Sequence, residues 1–255
     1  MNTLPPSLFD AHLHIIDPRF PLIESGVYVP PPFTCEDYLA RTAKLNVRGG
    51  AVVSGSFQGF DQAYLLDALQ RLGPGFVGVT QLPADTPDEE ILRLDAAGVR
   101  AVRFNLVRGG SEDVSRLERM ARRVHELAGW HVELYAASRD LPGLYATLAG
   151  LPSVCIDHLG LTQEGFGTLL RLVECGVRVK ATGFGRVDLD VPRALRAIVA
   201  ANPRALMFGT DLPSTRAPRP FEDNDVDLVL QCLTESSATD VMAGNALDWY
   251  RPRRR

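Results

Sequence analysis

The chain has 255 residues, 45% hydrophobic and 23% charged, which suits one α/β barrel domain and argues against a disordered chain. Lys plus Arg total 27 against 31 Asp plus Glu, a net charge of -4, so no basic face is implied for nucleic acid. No apolar stretch of about 20 residues offers a membrane span.

Short β-rich runs lie near Leu8–Leu13, Gly50–Val53, Phe76–Leu82 and Val99–Leu106, then near His131–Ala136, Val154–Asp157, Val177–Thr182 and Leu206–Thr210. Between them come segments with helical spacing: Cys35–Leu45, Gln62–Leu72, Asp88–Ala97, Val114–Ala128, Leu141–Leu148, Gly167–Cys175, Pro192–Ala201 and Asp225–Leu233. A last one, Ala238–Trp249, closes the chain. Thr34, with Asp37 three residues on, reads as a capping-box start for the first helix. Gly73, Gly98, Gly129 and Gly176 follow helical runs, where a left-handed C-cap residue belongs. Eight strand–helix units predict a single TIM-type (β/α)8 barrel over residues 1–255. A doubly wound open sheet is disfavoured, because no Gly-rich phosphate loop follows the first strand.

The opening Met1 to Pro6 has neither a basic nor an apolar leader segment. Cys35, Cys155, Cys175 and Cys232 are widely spaced without metal-finger pairing, and Cys155 and Cys175 sit in apolar runs that read as core. Reduced thiols and a cytoplasmic location are expected. Arg251 to Arg255, interrupted by Pro252, read as a frayed end.

In a parallel barrel, function gathers at the carboxyl ends of the strands. With period two, Asp10, His12 and His14 share one face of the first strand, while Phe9, Ala11 and Leu13 share the other, with Phe9 and Leu13 toward the helices. His158 ends the sixth strand at the same rim. Asp211 ends the apolar eighth strand, where a carboxylate is costly to bury without partners. Closure sets strand eight beside strand one, so His12 and His14 are the expected partners. Arg103, Arg108 and Arg186 fall at strand ends or in the following loops and suit bidentate recognition of carboxylates. Arg216 reads as a solvated loop residue. Tyr28, Tyr135, Ser54 and Ser56 are candidate neutral donors.

These pieces, in this order, resemble the amidohydrolase superfamily, in the amidohydrolase-related branch that holds pyrone-dicarboxylate hydrolases and sugar lactonases. The matching segments are Asp10-Ala11-His12-Leu13-His14, Tyr28 before its prolines, Ser54-Gly55-Ser56 and Val102-Arg103-Phe104-Asn105. Further on come Val132-Glu133-Leu134-Tyr135, Ile156-Asp157-His158-Leu159-Gly160, Phe208-Gly209-Thr210-Asp211-Leu212-Pro213, and Gly244-Asn245-Ala246 with Trp249-Tyr250. The resemblance implies a lactonase that opens a 2-pyrone-4,6-dicarboxylate-like ring. Asp211 would activate water, and His12, His14 and His158 would stabilise the developing oxyanion. Arg103, Arg108 and Arg186 would clamp the carboxylates, with Tyr28, Ser54, Ser56, Tyr135 and Ser214 completing the pocket. A sugar-acid lactone hydrolase or isomerase is the alternative, and a metal-dependent decarboxylase or amidohydrolase is another.

Metal-binding members of the wider superfamily carry a histidine at the end of strand five. Here Tyr135 holds that rim position and His131 falls at the opposite end, while the fourth strand offers the cation Arg103. No cofactor is therefore expected. Were zinc to bind, His12, His14 and Asp211 would be its ligands, with His158 a further one. The expected partner is a small anionic carboxylated substrate. No residue pattern reports on oligomeric state.

Overall fold

Eight parallel strands follow one another around one sheet in chain order. They are β1 (Leu8–Leu13), β2 (Val47–Val53), β3 (Phe76–Thr80), β4 (Val99–Asn105), β5 (His131–Tyr135), β6 (Val154–Ile156), β7 (Arg178–Ala181) and β8 (Leu206–Phe208). The seam between β8 and β1 is bridged just beyond the last strand: Asp211 N donates to His12 O and His14 N to Leu212 O, both at 2.7 Å. The computed structural model describes residues 6–23 and 28–252. The leader reading of Met1 to Pro5 and the arginines at 253–255 lie outside them.

The helices between strands are α1 (Cys35–Arg41), α2 (Ala63–Leu72), α3 (Asp88–Ala97), α4 (Leu117–Ala128), α5 (Leu141–Ala149), α6 (Phe166–Glu174), α7 (Val191–Ala201) and α8 (Asn224–Cys232). The expected punctuation is present in part, since Gly73 after α2 has a ψ of -177° and is not left-handed. Thr34 and Asp37 form the capping box of α1, and Gly98 and Gly129 adopt the left-handed conformation after α3 and α4. The closing segment is not one helix. It divides into α9 (Glu235–Thr239), a wide π turn over Asp240–Gly244, and α10 (Asn245–Tyr250). Asn245 pins this junction beneath β8 by donating to Pro203 O and Leu206 O. Among the described residues, no helix is long and apolar enough to cross a membrane.

Parallel strands covered on both faces must be apolar on both, and two clusters result. The outer one packs Leu13, Val52, Phe104, Leu134, Ile156 and Phe208 against helix residues such as Leu65, Leu94, Leu169 and Ile198. Each such burial stabilises by roughly 1.5–3 kcal/mol. The inner one is built of smaller residues, Ala11, Ala51, Val53, Val79, Ala101 and Cys155, closed from below by Ala246 and Tyr250 of α10. Cys35 is also buried, but Cys175 is exposed at the end of α6 rather than in the core.

β1 departs from strict alternation. Asp10 pairs with Gly50 and Leu13 with Val52, so β1 advances three residues while β2 advances two. This bulge switches the facing of the residues on either side of it. Phe9 therefore lies inside the barrel, stacked on Tyr250 with centroids 5.6 Å apart, and not among the helices. Asp10 turns the other way, away from the His12 and His14 imidazoles, and accepts from Tyr38 Oη of α1 at 3.0 Å and from Thr210 Oγ1 at 2.6 Å. His12 and His14 keep their inward direction.

Candidate active site

His12 and His14 leave the end of β1, His158 follows β6 and Asp211 follows β8. His158 and Asp211 both have positive φ, 50° and 59°, a conformation that costs a non-glycine residue energy and must be held by its surroundings. Here it turns both side chains into the barrel mouth. Asp211 Oδ1 lies 3.8 Å from His12 Nε2, 3.7 Å from His14 Nε2 and 4.0 Å from His158 Nε2. That oxygen is buried and closes no hydrogen bond, while Oδ2 accepts from Arg186 Nε at 3.0 Å and Nη2 at 2.5 Å. Burial opposes ionisation of Asp211, yet the neighbouring His158 and the Arg186 guanidinium reverse this and hold it well below the usual carboxylate range. Burial pushes the His12 imidazole down to about 3 and that of His158 well below its ordinary value.

A cavity opens above this cluster, lined by His14, Ser56, Tyr135, His158 and Asp211 together with Arg103, Arg108, Arg186 and Arg216. The four arginines are not equivalent. Arg103 donates through Nε and Nη2 to Asp157 at 3.1 and 2.8 Å and through Nη1 to Ser54 O at 2.8 Å. Arg186 is paired with Asp211. Arg108 and Arg216 have no carboxylate partner among the described residues. Arg108 rides on a loop that Gly110 fastens to Ser56. With φ at +78° a side chain there would be strained, and a Cβ would sit 2.4 Å from Ser56 O. Arg216, expected in solvent, instead lies over the Tyr28 ring at 4.2 Å and faces the cavity.

Three expected site residues are placed elsewhere. His12 is fully buried beneath His14 and does not line the cavity. Ser54 Oγ pairs with Tyr64 Oη of α2 at 2.6 Å, on the helix side of β2, so it offers nothing to a ligand. Ser214 Oγ accepts from Phe221 N at 3.0 Å and braces its own loop. Tyr28 contributes as the platform under Arg216 rather than as a wall.

Below the histidines lies a charged floor that sequence reasoning missed. Lys180 Nζ donates to Glu133 Oε2 at 2.5 Å and lies 3.6 Å from Asp157 Oδ1 and 3.3 Å from His12 Nδ1. Tyr250 Oη donates to Glu133 Oε1 at 2.5 Å, where His131 Nε2 also binds at 3.0 Å. Lys180, Glu133 and Asp157 are completely buried. Two cations, Lys180 and Arg103, thus face two carboxylates, Glu133 and Asp157, which is the condition under which buried charges are tolerated. Burial would raise Asp157, but Arg103 and Lys180 hold it well below its ordinary value. The available signal was a lysine and a glutamate each standing inside an apolar strand.

The donor atoms also suit a divalent cation in kind and spacing. A ring nitrogen each of His12 and His158 and a carboxylate oxygen of Asp211 lie within 4.8 Å of one another, and imidazole with carboxylate is a zinc-type donor set. The unbonded Asp211 Oδ1 is the atom such an ion would take.

Similarity to known proteins agrees with the geometry. Residues 9–251 match the amidohydrolase family. A 2-pyrone-4,6-dicarboxylate hydrolase of Comamonas testosteroni is 30% identical over 238 residues, covering 82% of this chain and 78% of the relative. A 4-sulfomuconolactone hydrolase of Rhizobium radiobacter is 30% identical over 230 residues, covering 82% and 77%. A Pseudomonas putida structure described as a 2-pyrone-4,6-dicarboxylic acid hydrolase superposes with a TM-score of 0.82 at 27% identity, over 99% of this chain and 100% of that one. A barrel with a His-x-His pair on its first strand and an aspartate after its eighth, matched by that family along nearly its whole length, belongs to the amidohydrolase family.

Proposed function

We propose that this enzyme hydrolyses a small lactone carrying two anionic groups, of the 2-pyrone-4,6-dicarboxylate type. The observation that carries the reading is the pair of arginines, Arg108 and Arg216, that have no carboxylate partner among the described residues and face a cavity floored by an ionised aspartate beside His14 and His158. Guanidinium groups left unpaired at a cavity wall suit ligand carboxylates.

Asp211 Oδ1, free of hydrogen bonds, is placed to hold a water and take its proton. The hydroxide adds to the lactone carbonyl carbon. Its oxygen then carries the charge, facing His158 Nε2 and the Tyr135 hydroxyl on the cavity wall. Thr182 Oγ1 sits 2.6 Å from His158 Nδ1, and donation there leaves the proton on Nε2. Collapse breaks the ring C–O bond, and the proton held by Asp211 passes to the departing enolate or alkoxide. Arg186 tunes the base. A substrate carboxylate that shares its guanidinium weakens the grip on Asp211 Oδ2 and raises the basicity of Oδ1. His12 acts from beneath, through His14.

The reaction is proposed to need no resident metal, the positive charge coming from Arg186 and Arg103. A divalent ion held by His12, His14, His158 and Asp211 would supply Lewis-acid polarisation and a more acidic water. A single-domain cytoplasmic enzyme with free thiols and no nucleic-acid partner is the setting this reading supposes.

Product analysis on a panel of carboxylated lactones tests the reading. Ring-opened acids from dicarboxylated members support it. An isomeric lactone as product assigns a substrate hydroxyl the place of water, and no turnover on any member overturns it.

A further inference from the structure

The hydrogen-bond chain that runs through His12 has both ends fixed by chemistry. At one end, His14 Nδ1 lies 2.7 Å from Val53 O. A carbonyl only accepts, so His14 Nδ1 carries a proton, and its Nε2 is the nitrogen turned toward His12. His12 Nε2 and His14 Nε2 are 3.3 Å apart. Two nitrogens at that distance share one proton, and a proton on His12 Nε2 leaves His12 Nδ1 as the bare nitrogen. At the other end, Lys180 Nζ stands 3.3 Å from that same Nδ1, and an ammonium only donates. The Lys180 end, on β7, thus requires the Nε2–H tautomer of His12, and the spacing at the β2 end accommodates it.

Asp157 offers the opposite choice. Its Oδ1 is 3.4 Å from His12 Nδ1, yet it is a buried oxygen on which no hydrogen bond closes. An Nδ1–H would bond to it and leave Nε2 with a lone pair aimed at His14 and Asp211. His12 Nε2, His14 Nε2 and Asp211 Oδ1 would then converge as three bare donors, a ligand count that suffices for zinc.

We propose that Lys180 is a positioning residue that holds His12 protonated at Nε2, so that a proton stands where a metal-binding site needs a lone pair. Donation from Lys180 to Nδ1 fills the nitrogen through which Asp157 would draw the ring into its other form. The barrel thus keeps the ligand types of a metal site while one of them is committed as a donor. This inference rests on the metal-free reading of the site, but it is read without substrate, so its failure is distinct from failure of the lactone assignment.

The direct test is nitrogen NMR of the metal-stripped wild-type protein with labelled histidine. There are 5 histidines, and His12 is identified by the signal lost in a His12→Gln variant. The expected spectrum shows His12 protonated at Nε2 and His14 at Nδ1. A His12 ring protonated at Nδ1 overturns the proposal. The second arm uses the Lys180→Met/Glu133→Gln double variant, which removes both members of the buried pair and leaves neither charge stranded. There His12 should move to the Nδ1–H form, and calorimetric zinc affinity should rise at least tenfold over wild type. A folded double variant with the wild-type tautomer and unchanged zinc affinity also overturns it. Should the double variant not fold, the wild-type spectrum alone decides.

Discussion

The amide of Asp211 donates to the carbonyl of His12 at 2.7 Å, across the seam where the barrel closes. One backbone bond thus sets the position of the acid relative to the histidine pair, and the positive φ of Asp211 turns its carboxylate over them. The spacing of the candidate machinery is therefore a property of barrel closure as well as of the side chains.

Asp211→Asn should leave the fold intact, because the amide still accepts from Arg186, and should lower kcat about a hundredfold or more, the scale of general-base catalysis. Turnover close to wild type on the true substrate would sink the assignment.

Arg108→Met and Arg216→Met should each weaken action on a dicarboxylated lactone by about 1.5–3 kcal/mol, roughly ten- to hundredfold in kcat/KM, since each loses a charge-assisted bond. The same ring lacking one carboxylate should be affected much less by one of the two changes. Equal losses on both compounds would mean that these arginines are structural.

Metal independence is expected. Prolonged chelation should leave turnover unchanged, and added zinc or manganese should not raise it. A chelated enzyme that is inactive and regains turnover in proportion to one bound ion per chain refutes this.

Acid should destabilise the fold before the carboxylates titrate. Burial holds His12, His131 and His158 below their ordinary range, His12 down to about 3. The unfolded chain takes up these protons near pH 6.5, which the folded chain refuses. Stability is thus present above pH 6.5 and lost as pH falls from there toward 3. Asp10, raised to about 6 by burial, works in the opposite sense and offsets part of one histidine's effect. Thermal unfolding should show Tm falling between pH 6.5 and 4.5, with a shallower slope in His131→Gln. A flat or rising Tm over that interval contradicts the assignment.

Asp157→Asn should be more damaging than its conservative chemistry suggests. It strands Arg103 and half of the counter-charge of Lys180 in a dry interior, and breaking a buried pair costs about 3–5 kcal/mol. Denaturant unfolding measures the difference, and a loss under about 1 kcal/mol would show that water reaches the floor.

The alternation of apolar strands and amphipathic helices, with glycines after the helices, was legible because it repeats local rules eight times over. His12, His14, His158 and Asp211 were legible too, since a polar residue ending an apolar strand of a parallel barrel lies at its mouth. The reading of β1 by strict period two placed Phe9 and Asp10 on the wrong faces, because a bulge is decided by pairing with β2 rather than by β1 alone.

What the sequence by itself determined is the architecture and the rim at which the chemistry collects, since both follow from hydrophobic periodicity and chain order. What only the tertiary structure decided is who partners whom. Arg103 and Arg216 look alike as letters, yet one is spent on Asp157 and the other is left facing the cavity. Ser54 and Ser56 are two residues apart, yet one bonds to α2 and the other lines the pocket. Lys180 meets His12 across 168 residues of chain. Charge pairing and hydrogen-bond direction act through space over a few ångströms, and a linear sequence does not contain those distances until the barrel has closed.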